Sequence, residues 1–495
     1  MAAAQLIDGL SGFASGKDHI QKTVITGQKA LWGRRANVSG FSSLPSMLLM
    51  IGAPLLVLLI SVALTHYDGS IARVLDDFYS HGALPFLMRY CPSLTTQGII
   101  AYISWLVFQA LLYQVLPGRI VSGPPTPGGY SLPYKVNGLW SWFATLAVFI
   151  GLVKAGRLDP TFVAVHQGEF IIIANIYGFL ITAASVAKSH LLTQNTRDIR
   201  FSGSIIHDFL SGVELNPRLG KYWDLKLFQI GRVGMNSWVL VDLSFAAMQY
   251  QKFGYLTNSM IVVNLLHALY VVDFFVNEDW YLSTIDIALD HFGFNLAWGS
   301  AVWLPVVYTT QAHYLAYHPV QLSGLQCTLL LVAGITGYLI FRTANHQKYR
   351  TRQSNGTNLI WGRKPSLIQA TYQTADGSSH SSMLLHSGWW GLVRHPNYIG
   401  DLIFSFCTCA GCGFSHIVPW TYFFFMASLL IHRALRDDAR CSSKYWSWPP
   451  IPLGVLPWLE LARWPEYLPG QNLAAVALLG CMGRGRSKLA VQLSQ

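Results

Sequence analysis

Charge is what this sequence has least of. Asp, Glu, Lys and Arg together make up 12% of the 495 residues, against about 25% in an average soluble protein. A chain so poor in charge cannot cover a soluble surface of its size, which excludes an ordinary soluble enzyme. Cysteine is sparse too: seven residues, scattered and mostly in or beside apolar runs, give no disulfide framework. Cys407, Cys409 and Cys412 form a C-x-C-x2-C cluster. A metal there needs a fourth ligand and thiolates, whereas the flanking FSF and GFSH read as membrane helix in which small residues serve packing. No metal is expected. His313 and His318 are five apart, and His380, His386 and His395 six and nine apart, so no histidine box for di-iron chemistry is present. No G-x-G-x-x-G follows a predicted strand and no Walker A motif occurs. Residues 1–44 carry Lys17, Lys22, Lys29, Arg34 and Arg35 without a long apolar run, so they read as a cytosolic segment and not as a signal peptide.

What is abundant is apolar surface: 52% hydrophobic residues and 13% aromatics. Runs near 46–65, 97–116, 137–154, 169–188, 235–250, 259–276, 294–312, 325–342, 399–415 and 417–432 predict an all-α, polytopic membrane protein of about ten transmembrane helices. Those at 235–250, 294–312 and 399–415 are short or interrupted by polar residues. With a cytosolic N-terminus, the loops after spans two, four, eight and ten face the cytosol. They hold Arg119, then Lys188 to Lys226, then Arg342 to Lys364, then Arg433 to Lys444, and the chain's net charge of +11 concentrates there, as the positive-inside rule requires. Lys154 and Arg157 fall on the other side. The Pro/Gly-rich 117–136 loop is expected to be irregular. The basic excess does not call for nucleic acid as a partner.

Two polar regions interrupt the apolar pattern. GVELNPRLGKYWDLKLFQIGR (212–232) reads either as a cytosolic connecting loop or as a structured element closing the mouth of a site. The 263–311 region threads Tyr270, Asp273, Asn277, Glu278, Asp279, Thr284, Asp286, Asp290, His291 and Gln311 through aliphatic and aromatic residues. Carboxylates inside a membrane are expensive and mark function; at helix ends they cap or face water, the simpler reading for Glu278 and Asp279. Tyr270 and Asp273, three apart, share a helix face. Aromatic walls with sparse polar groups suit a rigid apolar ligand with one polar handle.

Further on, Lys348 and Arg352 are spaced i, i+4, so both fall on one helix face where two cations can bind a phosphate; an ordinary positive-inside loop has the same composition. LLHSGWWGLVRHPNYIGD (384–401) packs polar and aromatic groups between apolar segments. Arg394 and His395 can meet anions, Trp389 and Trp390 can stack on a planar ring or anchor at the interface, and Pro396 suits the first turn of a helix. After the last span, Asp437 and Asp438 stand among basic residues in HRALRDDARCSSKY (432–445).

These segments, with VVDFFVNEDWYLSTIDIALDHFGF (271–294), YHPVQLS (317–323), FRTANHQK (341–348), IWGRKP (360–365) and TADG (374–377), resemble the sterol reductase family. That family includes the C14 and C24(28) sterol reductases and the lamin B receptor. ANHQK, IWGRKP and the TADG insert are most similar to the branch acting on 7-dehydrocholesterol. The resemblance runs from about 110 to 445. It implies an endoplasmic-reticulum membrane enzyme that uses NADPH to reduce the C7–C8 double bond of a 5,7-diene sterol entering from the bilayer, with other sterol-pathway enzymes as potential neighbours. It implies a transmembrane reductase domain over 45–445, with the cofactor pocket in its C-terminal half. Carried over position by position, it assigns nucleotide contacts to Lys348, Arg352, Leu385, Trp390, Asn397, Tyr398, Asp437, Cys441, Ser442, Ser443, Lys444 and Tyr445. Tyr270 matches a tyrosine proposed as an acid in related reductases, and with Asp273 or Asp437 in support it is the candidate acid system.

The sequence departs from the family in three places. Arg232-Val233-Gly234 stands where RPG is usual, and Ser300 where an aspartate follows Trp-Gly. Residues 446–495 form a divergent tail in which Pro452 replaces an expected tyrosine contact. Reduction at C14–C15 and a catalytically impaired sterol-binding homologue therefore stay open as alternatives. The R-H-P-x-Y-x-G core is also similar to isoprenylcysteine methyltransferases, but those are much shorter and lack the 212–365 motifs.

Overall fold

The computed structural model describes residues 43–444 apart from 193, 375 and 376. The expected N-terminal segment, except its last two residues, and the 446–495 tail lie outside them. Helix dominates. The helices that frame the bundle are α1 (Leu44–His66), α2 (Thr96–Val115), α3 (Gly138–Lys154), α4 (Gln167–Leu191), α5 (Asn236–Phe253), α6 (Asn258–Val276), the short α7 (Thr310–Tyr317), α8 (Gly324–Gln353), α9 (Pro396–Ala410) and α10 (Thr421–Lys444). Among the described residues, α1, α2, α4, α6 and α8 are each long and apolar enough to cross a membrane, and α3 is shorter. The apolar side chains of α2 that stand exposed, Ile100, Ile103, Val107 and Leu111, recur at helical spacing and form a lipid-facing stripe. Its inward face carries Gln109, which bonds Thr145 of α3 at 3.0 Å and accepts from Asn236 of α5 at 2.7 Å. Polar side chains thus link helices inside the bundle, where lipid offers no partner.

The expected span at 294–312 is a broken one: α-helical Phe294–Trp298, π-helical Gly299–Trp303 and α-helical Leu304–Val307, followed by α7. A second π-helical segment, Phe228–Met235, leads into α5. The two π segments meet where a Cβ on Gly234 would lie 2.8 Å from the Ser300 carbonyl oxygen. The Val233 and Ser300 departures from the family pattern therefore fall at a helix–helix contact.

One expectation needs correction, and one open reading is decided for its structured alternative. The 117–136 loop is not irregular throughout: β1 (Arg119–Ser122) pairs antiparallel with β2 (Pro133–Val136). The 212–232 region is no solvated connecting loop. It forms β3 (Arg218–Leu219) and β4 (Trp223–Asp224), then helix, and it buries Glu214, Arg218, Asp224, Lys226 and Arg232. Burial is tolerated because charges pair: Arg232 with Glu278 at 2.6 Å, Lys188 with Glu214 at 2.8 Å, and Lys226 with the Ile287 and Asp290 carbonyls at 2.8 and 2.6 Å. Glu278 is correspondingly no exposed helix cap; it also accepts from the Gly138 amide at 2.7 Å. Beside this plate, β5 (Leu367–Gln373) and β6 (Ser379–Leu385) form a hairpin whose Ala370 packs with Cys441 of α10.

Helix α8 positions the site. Its start is fixed by a capping box between Ser323 and Gln326, and its 30 residues span roughly 45 Å at about 1.5 Å per residue, longer than a hydrocarbon core of about 30 Å. Its polar last third therefore projects beyond the bilayer. Helix α9 lies against it with no room for side chains. A Cβ on Gly337 would meet the Gly400 carbonyl oxygen at 2.8 Å, and one on Gly400 would meet Phe341 N at 2.5 Å. Small residues permit such backbone contact between membrane helices.

Candidate active site

A cavity of about 670 Å³ opens between α6, α8, α9, α10, the 279–289 segment and the β1–β2 hairpin. Because α8 is a continuous helix, Arg342, Asn345, Lys348 and Arg352 recur every three or four residues and line one side of it. Trp390, Asn397 and Tyr398 form the next wall, and Asp437 the third. Tyr270 and Asp273 lie on α6 in the same lining. Eight of the residues named from the sequence are thus brought together.

The 384–401 stretch is held on α8 by specific bonds. Gly388 has a positive φ of 63°, and a Cβ there would stand 2.5 Å from Gln347 Oε1, so only glycine lets the chain approach. The Trp389 amide donates to Gln347 Oε1 at 3.0 Å, Trp390 Nε1 donates to the Ala344 carbonyl at 2.8 Å, and Asn397 Nδ2 donates to Asn345 Oδ1 at 3.1 Å. The Lys348 ammonium sits 4.6 Å from the Trp390 ring centroid. Trp390 is therefore a wall of the cavity and not an interface anchor.

Several sequence-based roles change. Arg394 is ion-paired with Asp438. Burial pushes the His395 imidazole down to about 4, Lys348 and Arg394 adding to the effect and Asp437 opposing it. At neutral pH His395 is uncharged, stacked on Tyr398 at 4.8 Å, and it is not an anion-binding cation. Asp273 is bonded to Arg342 and accepts from Asn277 Nδ2 at 2.9 Å, so its carboxyl group is tied to these two partners. Leu385 ends β6, and Cys441 is buried against the β5–β6 hairpin; neither lines the cavity. Ser442, Ser443 and Lys444 belong to α10, but their side chains, and all of Tyr445, lie outside the described residues. Cys407, Cys409 and Cys412 are buried, with Gln311 Nε2 donating to Cys409 Sγ at 3.2 Å.

Sequence reasoning assigned no role to Asp401, Arg433 or Arg342, yet all three line the cavity. Arg433 pairs with Asp286, and Arg436 with Asp290, each at 2.6 Å, which ties the 286–290 loop to α10. The signal was present as helical spacing: Asp401 is three residues beyond Tyr398, and Arg433 four before Asp437. It could not be read until the helix faces were oriented.

The architecture is that of a polytopic membrane protein with a partly open cavity, lined by polar and apolar residues, at one end of its bundle. The model of the Ergosterol biosynthesis ERG4/ERG24 family matches residues 47–448, and the chain belongs to that family; it is a sterol reductase. It is 41% identical over 458 residues to a 7-dehydrocholesterol reductase of Danio rerio, covering 90% of this chain and 96% of the relative. It is 42% identical over 440 residues to that of Xenopus laevis, covering 86% and 93%. A Delta(14)-sterol reductase of Methylotuvimicrobium alcaliphilum is 36% identical over 411 residues, covering 82% and 90%.

Proposed function

We propose that this enzyme reduces the C7–C8 double bond of 5,7-diene sterols with NADPH, in the endoplasmic-reticulum membrane. The observation that carries the reading is the continuity of one cavity from the cations Lys348 and Arg352 to the Tyr270 hydroxyl. A dinucleotide needs cations for its phosphates at one end and a water-poor apolar wall at the other. The donor set fits: buried polar atoms facing this region, Arg342 Nε, Asn345 Nδ2, Asn397 Oδ1 and Arg433 Nε, have no hydrogen-bond partner among the described residues. Such orphans are costly unless a ligand satisfies them. The identity to relatives named 7-dehydrocholesterol reductase supports the choice of double bond.

In this reading Lys348 and Arg352 hold the phosphates, and Trp390, Asn397 and Tyr398 shape the nucleotide's bed. When bound, the reduced nicotinamide supplies a hydride. Tyr270 holds the proton at its hydroxyl, in an aromatic wall with Phe341 at 5.8 Å and Phe404 at 5.4 Å between ring centroids. Proton transfer to the diene leaves an allylic cation, which electron-rich ring faces stabilise. The sterol enters laterally from the bilayer. Microsomes bearing the chain are expected to convert 7-dehydrocholesterol to cholesterol with NADPH. Consumption of a C14-unsaturated sterol in its place would overturn the C7 assignment, and consumption of neither would overturn the reductase reading.

A further inference from the structure

A phenol alone is a weak acid for an unactivated diene, and the groups expected to assist it are otherwise engaged. Asp273 is held by Arg342 and Asn277. Asp279 accepts from the Trp280 amide and the Tyr349 hydroxyl, and Asp286 from Arg433 and Tyr281. Asp437 stands near His395. Asp401 differs from all of these. It is 5% exposed, it lines the cavity, and its Oδ1 has no hydrogen-bond partner among the described residues.

Asp401 and Tyr270 line the same cavity and act on each other electrostatically, and the backbone accounts for their nearness. Gly400 seats α9 directly on Phe341 of α8. Phe404, one helical turn beyond Asp401, packs its ring on Tyr270 at 5.4 Å, and residues three apart share a helix face. Asp401 and Tyr270 therefore sit at the same inner end of the cavity. No hydrogen bond of the Tyr270 hydroxyl is formed among the described residues, so both groups are open to a bound molecule and to each other.

We propose that Asp401 is the acid that drives protonation through Tyr270. As the Tyr270 O–H bond breaks and a C–H bond forms on the sterol, the Asp401 O–H bond breaks and the Tyr270 O–H bond re-forms. No phenolate accumulates. A reduced nicotinamide, held by Lys348 and Arg352, would supply the hydride that completes the reduction, and the Asp401 carboxylate would regain its proton from water at the polar end of the cavity. An ionised carboxylate is costly where it is buried without a bonding partner, which favours the neutral acid at Asp401, and a carboxylic acid is a stronger donor than a phenol, so the transfer to Tyr270 runs in the favourable direction. The inference rests on the reductase reading above and adds the source of the proton.

The test compares wild type with Asp401→Asn and Asp401→Glu in purified membranes, on whichever sterol the wild type consumes. Turnover, the pH profile and the binding of NADPH and sterol are each measured. Asp401→Asn is expected to lose on the order of 100-fold in turnover, as for removal of a general acid, with both ligands bound within about twofold of wild type. Asp401→Glu is expected to recover part of the rate with a displaced alkaline limb. That limb belongs to Asp401 because turnover requires its protonated form. The other groups facing it are Tyr270 on α6, Tyr308, and Tyr422 and Arg433 on α10, with Asp273 and Arg342 acting on Tyr270 from its other neighbours. An Asp401→Asn enzyme with wild-type turnover would overturn the relay. So would one that loses ligand binding together with activity, or an Asp401→Glu enzyme no better than Asp401→Asn. A wild type that binds NADPH yet reduces no sterol would overturn the functional reading itself.

Discussion

Two regions of this molecule bury charge, and they do it differently. In the plate built from 212–232 and 278–290, each buried charge meets an opposite charge or a carbonyl: Arg232 on Glu278, both fully buried, Lys188 on Glu214, and Lys226 on two carbonyls, although single atoms such as Arg218 Nε, Arg232 Nε and the Asn216 amide group keep no hydrogen-bond partner among the described residues. In the cavity the pairing is incomplete. Asp401 Oδ1, Asn345 Nδ2 and Asn397 Oδ1 are buried and left over, and the Lys348 ammonium lies over an aromatic face. Charges matched to opposite charges support a fold, whereas a carboxyl that lines a cavity without an ion-pair partner, as Asp401 does among the described residues, is placed to meet a ligand.

The comparison breaks most visibly at Glu278. Replacing it by Leu strands Arg232 and the Gly138 amide, at an expected cost of about 3–5 kcal/mol, seen as a large fall in thermal stability in detergent. Adding Arg232→Met should recover most of the loss, and a single variant as stable as wild type would show that the plate is not held by this pair. Tyr270→Phe tests the open region. It should lower turnover about 100-fold or more while thermal stability and nucleotide affinity stay near wild type; unchanged turnover removes Tyr270 as proton donor. Lys348→Glu should raise the apparent KM for NADPH about tenfold or more, a loss of roughly 1.4 kcal/mol, with a smaller effect on kcat. An unchanged KM would take Lys348 out of the phosphate site.

The smallest effect is expected at His395, where burial holds the imidazole near 4. Unfolded, it titrates near 6.5. Its neutral burial therefore contributes stability in full above about 6.5, and that stability is lost as the pH falls toward 4, because the unfolded chain then takes up a proton that the folded chain refuses. Acidification from pH 7 to 5.5 should cost wild type about 1 kcal/mol more than His395→Asn, read from melting temperatures across that range. Equal acid sensitivity would mean that His395 is not buried neutral.

Reading the chain in sequence located most of this. The Lys348/Arg352 face, the Trp390–Asn397–Tyr398 stretch and Asp437 could be named because helical spacing and a family motif are local properties. The 212–232 segment stayed undecided because its polar composition is also that of a loop; its charges could be recognised as buried only once Glu278, Glu214 and two distant carbonyls were placed beside them. Asp273 and Arg394 misled for the same reason. Each carries the right functional group, and each is engaged by a partner remote in sequence.

Composition and periodicity by themselves determined that this chain lives in a membrane, that it is helical, and which stretches interrupt the apolar pattern, since hydrophobic length and helical repeat are counted along the chain. Only the tertiary structure decided which polar groups remain unfinished. Whether a buried carboxyl is an engaged carboxylate or an open acid depends on what faces it across helices. Asp273 and Asp401 look alike in sequence and differ because Arg342 reaches one of them and the Gly337–Gly400 contact seats the other beside Tyr270.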